Sequence, residues 1–541
     1  MRKIQCCVAL LLPAAFLVLA TPAFDTNDDT ASMFTACGFW TGHPGDALIF
    51  TSLRISRVLR FLYEHWPTPN WYVWYQYAVL FVSNAVITVF VARAHKPSKF
   101  GKLGRFHRDE WLPAFSWCVV FFLPTLLRLQ YTVTACWAGI AGWLLLAEAL
   151  RQPRFQWVLC LFAGAFLFLC ALIRYHAFWG ISLFLLPLSV FGVRLGKRFR
   201  ARYWFVGAVL LLPVAYQQVE SHERLHLPEG DATTLTYQTA IDAVVSGPNC
   251  IGEEHLRANG FGANNLLLLQ KWFWIDSAVF APEKMERLGK GIRCPRSFMA
   301  GLRHFAGSLY MEWPYVLLAL FCAAAFGLFG AEQRSCTLWT GLYLSVIFLF
   351  LSYWSRLPFR VMFPFMAAAF AWLQSNRIGP SPRRRRMSAC GVLLLVAITI
   401  FQSVNLWRQN VRNQTSRREF REAVAWLGQR PDTLFVVCGG SFNYEGAFSW
   451  KNLATANGTH NLVPTGYLLH TPVSRHILDK NGINDLASAL LEKRPIVLIN
   501  PPVEALRRFY QEHYNIEIRL SPTESGIVVE GKRMPTFVAS P

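Results

Sequence analysis

The feature that most constrains the fold of this chain is its series of long apolar segments separated by short polar loops. Hydrophobic residues make up 53% of the 541 residues and charged residues 16%, against about 25% charged residues in a typical soluble domain. A helix needs about 20 apolar residues to cross a bilayer, which predicts about eleven membrane spans here. The predicted spans are 5–24, 72–92, 111–127, 131–150, 156–173, 177–195, 203–217, 309–330, 335–354, 358–375 and 388–406.

The basic residues are concentrated in some of the loops, and this predicts the orientation of the chain. If the spans alternate in direction, the basic loops all face one side, and that side is the cytoplasm. The same distribution accounts for the net charge of +21 without nucleic acid as a partner. The N-terminus is then cytoplasmic, and the outer side receives loops 25–71 and 218–308 and everything after about residue 406. The basic loops are 96–108, 151–154, 194–202 and 383–386.

The N-terminal segment allows two interpretations. Arg2 and Lys3, an apolar stretch and the small residues of 20–23 fit a cleavable signal peptide as well as a retained first span. We favour the retained span. Cleavage would leave Asp25 on the same outer side.

Two outer loops carry patterns of their own. Segment 40–71 alternates apolar and Arg residues and predicts an amphipathic helix on the membrane surface. Loop 218–308 contains Cys250 and Cys294. On an oxidising outer side these two cysteines either pair as a disulfide or stay as buried free thiols.

The end of the chain has the pattern of a small α/β domain. We therefore predict a transmembrane domain at 1–406 and an outer, periplasmic α/β domain at 407–541. The predicted elements are strands at 433–438 and 495–500, helices at 416–428, 484–493 and 502–513, and a terminal hairpin of 516–520 with 526–530.

Polar residues gather at the outer ends of several predicted spans. Carboxylates at the mouth of a span are costly to desolvate, so they usually mark a function. Arg binds phosphate through two parallel hydrogen bonds, and a carboxylate can take a proton from an attacking hydroxyl. The candidate residues are Asp25, Asp28 and Asp29, then Arg128, Gln130 and Tyr131, then Arg174, Tyr175 and His176, and finally Arg356 and Arg360.

Structural explanations stay open for the basic residues. Arg128 and Arg174 can simply extend from span ends towards the headgroups. Arg356 and Arg360 can cap helix C-termini or pair with the aspartates for structural reasons. His176 can be an ordinary interfacial histidine.

Five features of the chain occur together. They are an acidic first outer loop, an amphipathic segment in that loop, about eleven spans, an Arg before an apolar Pro-containing stretch, and a C-terminal outer α/β domain. In these features the chain resembles the GT-C superfamily, polytopic glycosyltransferases that use polyprenyl-phosphate sugars. More narrowly, it is similar to bacterial surface-polysaccharide glycosyltransferases. The segments behind the resemblance are 25–38 with Pro44, Leu62-Tyr63, 70–72, 130–132 and 360–364. The first loop lacks the Asp-Glu pair of protein mannosyltransferases and the Trp-Trp-Asp signature of oligosaccharyltransferases, which disfavours those activities.

The resemblance implies roles for the candidate residues. The first-loop acid would be the general base, best matched by Asp28, with Asp29 or Asp25 as alternates. Phosphate-binding residues would be Arg174, His176 and Arg360. At the same boundary we add Arg128 and Arg356 as phosphate ligands and Gln130, Tyr131 and Tyr175 as substrate contacts.

We therefore predict an inverting glycosyltransferase of the bacterial inner membrane. Its donor would be a polyprenyl-phosphate sugar from the lipid phase and its acceptor a periplasmic glycan or a lipid-linked glycan. The sequence leaves open whether a divalent cation bridges the phosphate and the aspartate. The alternatives are a flippase or transporter for lipid-linked glycans, which would need polar groups at mid-membrane depth, a polysaccharide polymerase or ligase, and a scaffold of an envelope complex.

Overall fold

The chain is mostly helical, with a strand-containing region near its C-terminus. The computed structural model describes residues 10–46, 48, 50–93, 114–152, 156–192, 200–225, 253–289, 297–311, 331–354, 357–375, 389–439, 441–454, 461–492, 494–523 and 526–540. Arg356, Cys250, Cys294 and the basic loops 96–108 and 383–386 lie outside these residues.

The helices of the first 428 residues make up most of the described structure. They are α1 (Leu12–Leu19), α2 (Asn27–Cys37), α3 (Leu53–His65), α4 (Trp71–Arg93), α5 (Ala114–Leu127, with a π-turn at Cys118–Phe122), α6 (Tyr131–Arg151), α7 (Trp157–Ile173), α8 (Tyr175–Gly192), α9 (Arg200–Leu225), α10 (Glu253–Ala258), α11 (Ala263–Gln270), α12 (Pro282–Gly289), α13 (Phe298–Met311), α14 (Ala331–Trp354), α15 (Phe359–Ser375) and α16 (Ala389–Gly428).

Two of the described helices are long and apolar enough to cross a membrane. They are Trp71–Ala92 and Tyr131–Arg151. Shorter apolar helices run over 114–127, 157–173, 175–189 and 337–353. These helices occupy the positions of predicted spans, but length and composition alone do not establish that they cross a bilayer. Most of the predicted span 309–330 lies outside the described residues, since α13 ends at Met311.

Helix α6 is the centre of the helical bundle, and small residues let α7 approach it closely. A Cβ atom added at Gly142 would lie 2.8 Å from Cγ of Leu167 and 3.1 Å from the carbonyl oxygen of Ala163. Small residues at a helix interface permit such backbone contact. The packing fixes the start of α6, at Tyr131, relative to the end of α7, beside Arg174.

The last helix of the bundle, α16, is 40 residues long. It continues without a break through position 406, so the predicted boundary between the two domains falls inside one helix. The side-chain amide of Asn413 donates to the carbonyl oxygens of Thr21 and Leu127, at 2.8 and 2.9 Å. Helix α16 thereby holds the ends of α1 and α5 side by side.

The C-terminal region contains a five-stranded mixed sheet. The two predicted strands are confirmed as β3 (Leu434–Val437) and β5 (Ile496–Ile499), which pair in parallel. The predicted terminal hairpin is wrong: 519–522 pairs with the last strand, and 528–529 pairs with 532–533. The strands are β3 (Leu434–Val437), β4 (Leu462–Val463), β5 (Ile496–Ile499), β6 (Arg519–Pro522), β7 (Val528–Val529), β8 (Lys532–Arg533) and β9 (Thr536–Ser540), in sheet order β4-β3-β5-β9-β6, and the helices are α17 (Pro472–Lys480), α18 (Leu486–Ala489) and α19 (Val503–Tyr514).

Part of the loop 218–308 packs against this C-terminal sheet region. The side-chain amide of Asn264 donates to the carbonyl oxygen of Ala505 at 2.9 Å, and the Tyr514 hydroxyl donates to Asp276. Trp274 is fully buried. Residues 273–276 therefore belong to a protein core, whereas Lys271 is exposed and Trp272 is half-buried.

The segment 444–452 connects the C-terminal region to the first outer loop. Its first part is a 3₁₀ turn, Tyr444–Ala447. The Thr30 hydroxyl donates to the carbonyl oxygen of Tyr444 at 2.9 Å, and the Asn70 side chain donates to that of Ser449 at 2.8 Å. Residues far apart in the chain therefore build one structure around the acidic segment that follows α1.

Candidate active site

The acidic segment is positioned by a short pairing between two loops. Two-residue strands β1 (Ala23–Phe24) and β2 (Arg128–Leu129) pair in parallel, and the amide of Asp25 donates to the carbonyl oxygen of Leu129 at 3.0 Å. The chain leaving α1 and the chain leaving α5 thus emerge side by side. This brings the first-loop acids next to the polar stretch that begins at Arg128, as the sequence predicted for residues at one boundary.

Helix α2 begins immediately after this pairing and carries two of the acids in its first turn. Asp28 and Asp29 lie where the helix N-terminus offers a positive electrostatic potential, which favours carboxylates. The helix ends at Gly38, whose φ of 74° suits glycine. A Cβ atom there would lie 2.5 Å from the backbone of His43. The length of α2 is therefore fixed at both ends.

Asp29 is fully buried and is the most heavily hydrogen-bonded of the acids. Its Oδ1 accepts hydrogen bonds from the Tyr72 hydroxyl at 3.1 Å, the Tyr131 amide at 3.0 Å and the Gln76 side chain at 3.5 Å. Its Oδ2 accepts one from the Thr26 hydroxyl at 3.0 Å. Asp29 therefore joins α2 to α4 and α6.

The environment of Asp29 disfavours a negative charge. Burial raises its pKa to about 8, although the Tyr131 amide and other donors act in the opposite direction. Such a carboxyl is largely protonated near neutral pH and is closed to an external hydroxyl. This geometry suits a structural role better than that of a base.

Asp25 is held by the neighbouring loop. Arg128 forms an ion pair with it, and the Arg128 guanidinium also lies 4.6 Å from the centroid of the Phe359 ring. Only 6% of the Asp25 side chain is exposed. The Arg128 guanidinium thus contacts both a carboxylate and an aromatic ring of the protein. These contacts argue against a side chain that only extends towards lipid headgroups.

Asp28 is the most accessible of the three acids, with 21% of its side chain exposed. Nη1 of Arg360, in the first turn of α15, donates to its Oδ2 at 3.3 Å. Arg360 is itself 34% exposed at the side chain. An accessible carboxylate and an accessible guanidinium therefore lie in contact.

Arg174 approaches the same place from the end of α7. Its guanidinium lies 4.3 Å from the centroid of the Phe50 ring and 5.5 Å from that of Tyr131. The charges of Arg174, Asp28 and Arg360 all act on the Tyr131 side chain. Three of the predicted site residues thus converge on one tyrosine.

Phe50 is a part of this cluster that the sequence did not reveal. Its φ is 64°, in the left-handed region that costs a non-glycine residue free energy. Its ring stacks on that of Tyr131 with a centroid distance of 6.4 Å and an interplanar angle of 9°. Contacts with Tyr131 and Arg174 hold the residue in this conformation.

Other predicted residues have peripheral or structural positions. The Gln130 side chain is buried and caps α6 by accepting from the Val133 amide at 2.8 Å. Tyr175 and His176 start α8, where their rings are 6.3 Å apart, and His176 is exposed. Arg356 is outside the described residues, so its predicted phosphate contact stays a prediction.

Glu445 adds a carboxyl that sequence reasoning missed. Desolvation by the surrounding protein and the charge of nearby Asp25 raise its pKa to about 7, although its side chain has an exposed surface. It belongs to the C-terminal region, 420 positions after Asp25. The only signal for it would have been a contact between distant segments.

Metal ligation gains no support from the described part of the chain. Within it, no group of three or more His, Cys, Asp or Glu side chains is arranged to hold a metal ion. No protein family model, curated protein or solved structure matches this chain.

Proposed function

We propose that the protein is an integral membrane glycosyltransferase that moves a sugar from a polyprenyl-phosphate donor to a periplasmic or lipid-linked glycan. The observation that carries the proposal is the contact between Asp28 and Arg360 beside Tyr131 and Arg174. It provides one accessible carboxylate and two cations at one end of the helical bundle. Sugar transfer from a phosphate donor requires both kinds of group.

The proposed membrane orientation rests on two supports. The helical bundle exposes large apolar side chains such as Leu161, Leu183 and Phe350, as a lipid-facing surface would. The basic loops fall on one side when the predicted spans alternate. We therefore place the protein in a bacterial inner membrane as a polytopic protein, with the acidic first loop and the α/β region on the periplasmic side.

Asp28 is the proposed general base. Burial removes Asp29 from this role, and the Asp25 side chain, which is 6% exposed against 21% for Asp28, is less open to an external hydroxyl. Asp28 would take the proton of the acceptor hydroxyl as the hydroxyl oxygen attacks the anomeric carbon. The bond from that carbon to the phosphate oxygen breaks, and the attack from the opposite face inverts the configuration.

Arg360 and Arg174 are the proposed ligands of the donor phosphate. Negative charge grows on the departing phosphate in the transition state, and a guanidinium placed there stabilises it. Arg360 is bonded to Asp28 before any donor arrives. A phosphate that draws Arg360 away would leave the Asp28 carboxylate more basic, so donor binding would prepare the base.

The test is transfer by the full-length protein in lipid nanodiscs. A radiolabelled polyprenyl-phosphate sugar is supplied with envelope glycans or lipid-linked glycans as acceptors, and labelled product is separated from the donor. Product with inverted anomeric configuration supports the proposal. Movement of intact lipid-linked glycan across proteoliposomes without a new glycosidic bond would indicate the flippase instead. Joining of whole polysaccharide units would indicate the polymerase or ligase.

A further inference from the structure

A second cluster of cations, which shares no residue with the Asp28–Arg360 pair, lies around a cavity of about 310 Å³. The cavity lies between the outer part of α16 and the segment 446–453 and is open on one side. Its walls are Arg417, Phe420, Arg421, Gly446, Ala447, Phe448, Ser449, Trp450, Lys451 and Leu453. None of these residues belongs to the sites that the sequence predicted.

The walls of this cavity combine positive charge with aromatic rings. Arg417, Arg421 and Lys451 contribute three cations, and no carboxylate is among the lining residues. Two acids on α16 have partners elsewhere: Glu419 accepts hydrogen bonds from the Glu530 and Gly531 amides, and Glu422 lies 3.8 Å from Arg418, which does not line the cavity. Glu445 precedes the lining residue Gly446 in the chain and interacts with the charges of Asp25 and Arg128. A concave basic surface with aromatic walls suits a ligand that carries a compact anion and an apolar part.

Arg417 is only partly compensated: its guanidinium lies 5.8 Å from the centroid of the Phe448 ring. Its Nη2 donates to the carbonyl oxygen of Pro22 at 3.1 Å, while its Nε is buried without a hydrogen-bond partner among the described residues. Burial and the nearby charge of Arg421 both lower its pKa. An anion bound near the two guanidinium groups would relieve their mutual repulsion.

The contacts of the cavity walls with the helix ends indicate the level of the cavity relative to the proposed membrane. Arg417 is bonded to Pro22, just beyond α1. The Trp450 ring packs on Trp74 and Tyr77 near the start of α4, with centroid distances of 5.1 and 4.9 Å. In the proposed orientation these helix ends mark the outer boundary of the bilayer, where lipid phosphates lie.

We propose that this cavity is a separate binding site for the phosphate group of a membrane lipid. Arg421 and Lys451 bind the phosphate oxygens, and Phe420, Phe448 and Trp450 contact the apolar part next to it. The phosphate belongs either to a polyprenyl phosphate or to an anionic glycerophospholipid. The inference rests on the proposed membrane orientation and does not require that the protein transfers sugar.

The experiment measures lipid binding by the full-length protein in phosphatidylcholine nanodiscs. The probes are a polyprenyl phosphate, phosphatidylglycerol and inorganic phosphate, and Trp fluorescence and native mass spectrometry report binding. We compare R421Q, K451Q and the double variant R421Q/K451Q with R418Q. The R418Q control removes an exposed cation from the same helix without touching the cavity.

We expect the double variant to bind the lipid phosphate about tenfold more weakly or worse, because it loses two charge-assisted contacts. R418Q should bind as the wild type does, and the single variants should fall between them. Preference for polyprenyl phosphate assigns the site to a lipid-linked substrate, and equal binding of phosphatidylglycerol assigns it to bulk lipid. Binding of inorganic phosphate alone would overturn the lipid assignment, and equal binding by all variants would overturn the site.

The same preparations separate this inference from the proposed activity. Lipid binding that is weakened only in the Arg421 and Lys451 variants supports the site even if the wild type transfers no sugar. Normal sugar transfer together with unaltered lipid binding in every variant would reject the site and leave the proposed function intact.

Discussion

Arg360 donates a hydrogen bond to Asp28 across 332 positions of sequence, with 3.3 Å between Nη1 and Oδ2. The first turn of α2 presents the carboxylate, and the first turn of α15 presents the guanidinium. Both groups retain some exposure. This contact is the element of the structure on which the proposed function depends.

The role of Arg360 is tested by replacing it with Lys and with Gln. Lys keeps a charge but cannot bind phosphate through two parallel hydrogen bonds, so we expect a partial loss of sugar transfer. Gln removes the charge, and we expect a loss of about 100-fold or more in kcat/KM. Transfer is measured with purified variants, and Arg508→Gln, an exposed replacement on α19, is the control. Wild-type rates in both Arg360 variants would exclude a role in catalysis.

The buried acid Asp29 should make stability depend on pH. Its pKa is about 8 in the folded protein, whereas the pKa of an Asp in the unfolded chain is about 4. The folded state therefore holds a proton that the unfolded state has lost, and stability should fall as pH rises from about 4 to about 8.

Thermal unfolding of the detergent-solubilised protein measures this slope. Asp29→Asn cannot titrate, so its Tm should vary less over the same range than that of the wild type. Glu445, with a pKa of about 7, contributes in the same direction and should leave a residual slope that Glu445→Gln reduces. If the dependence of Tm on pH is the same in Asp29→Asn as in the wild type, the Asp29 carboxyl is not protonated on folding.

The pair Asp25–Arg128 should behave as a structural unit. Removal of Arg128 leaves a carboxylate that is only 6% exposed without its partner, so Arg128→Gln should destabilise the protein by about 1–3 kcal/mol. The double variant D25N/R128Q leaves no charge behind and should be more stable than R128Q alone. Additive losses in the double variant would mean that the two residues act independently.

Gln130 should matter for folding and not for substrate binding. Gln130→Ala removes the cap of α6 and should cost about 1 kcal/mol. Gln130→Ser should restore part of that stability, because Ser also caps helices. The KM of both variants should equal that of the wild type, and a raised KM in the capped Ser variant would instead support the substrate contact predicted from sequence.

The sequence predicted local patterns well and distant contacts less well. Strands β3 and β5 followed from short apolar runs, and most of the described bundle helices followed from apolar length. The terminal hairpin was wrong because β6 pairs with the last strand, β9, which pairs with β5 on its other side. Nothing within the two segments of the predicted hairpin indicates that pairing.

The candidate site shows the same division between local and distant information. The acids and basic residues could be named from their position at span ends. Their roles could not, because burial separates Asp29 from Asp28 although the two are adjacent in the chain. Phe50 and Glu445 were missed, since only tertiary contacts bring them to Tyr131 and Asp25.

The most direct test of the central claim is sugar transfer by Asp28→Asn, compared with Asp46→Asn as a matched change in the same loop. Asp46 pairs with Arg60 at 3.4 Å, and 36% of its side chain is exposed. We expect Asp28→Asn to fold and insert normally. Its kcat should fall by a factor of about 10² to 10⁴, because the variant lacks the general base. Asp46→Asn should keep the wild-type rate. Wild-type transfer by Asp28→Asn would contradict the account.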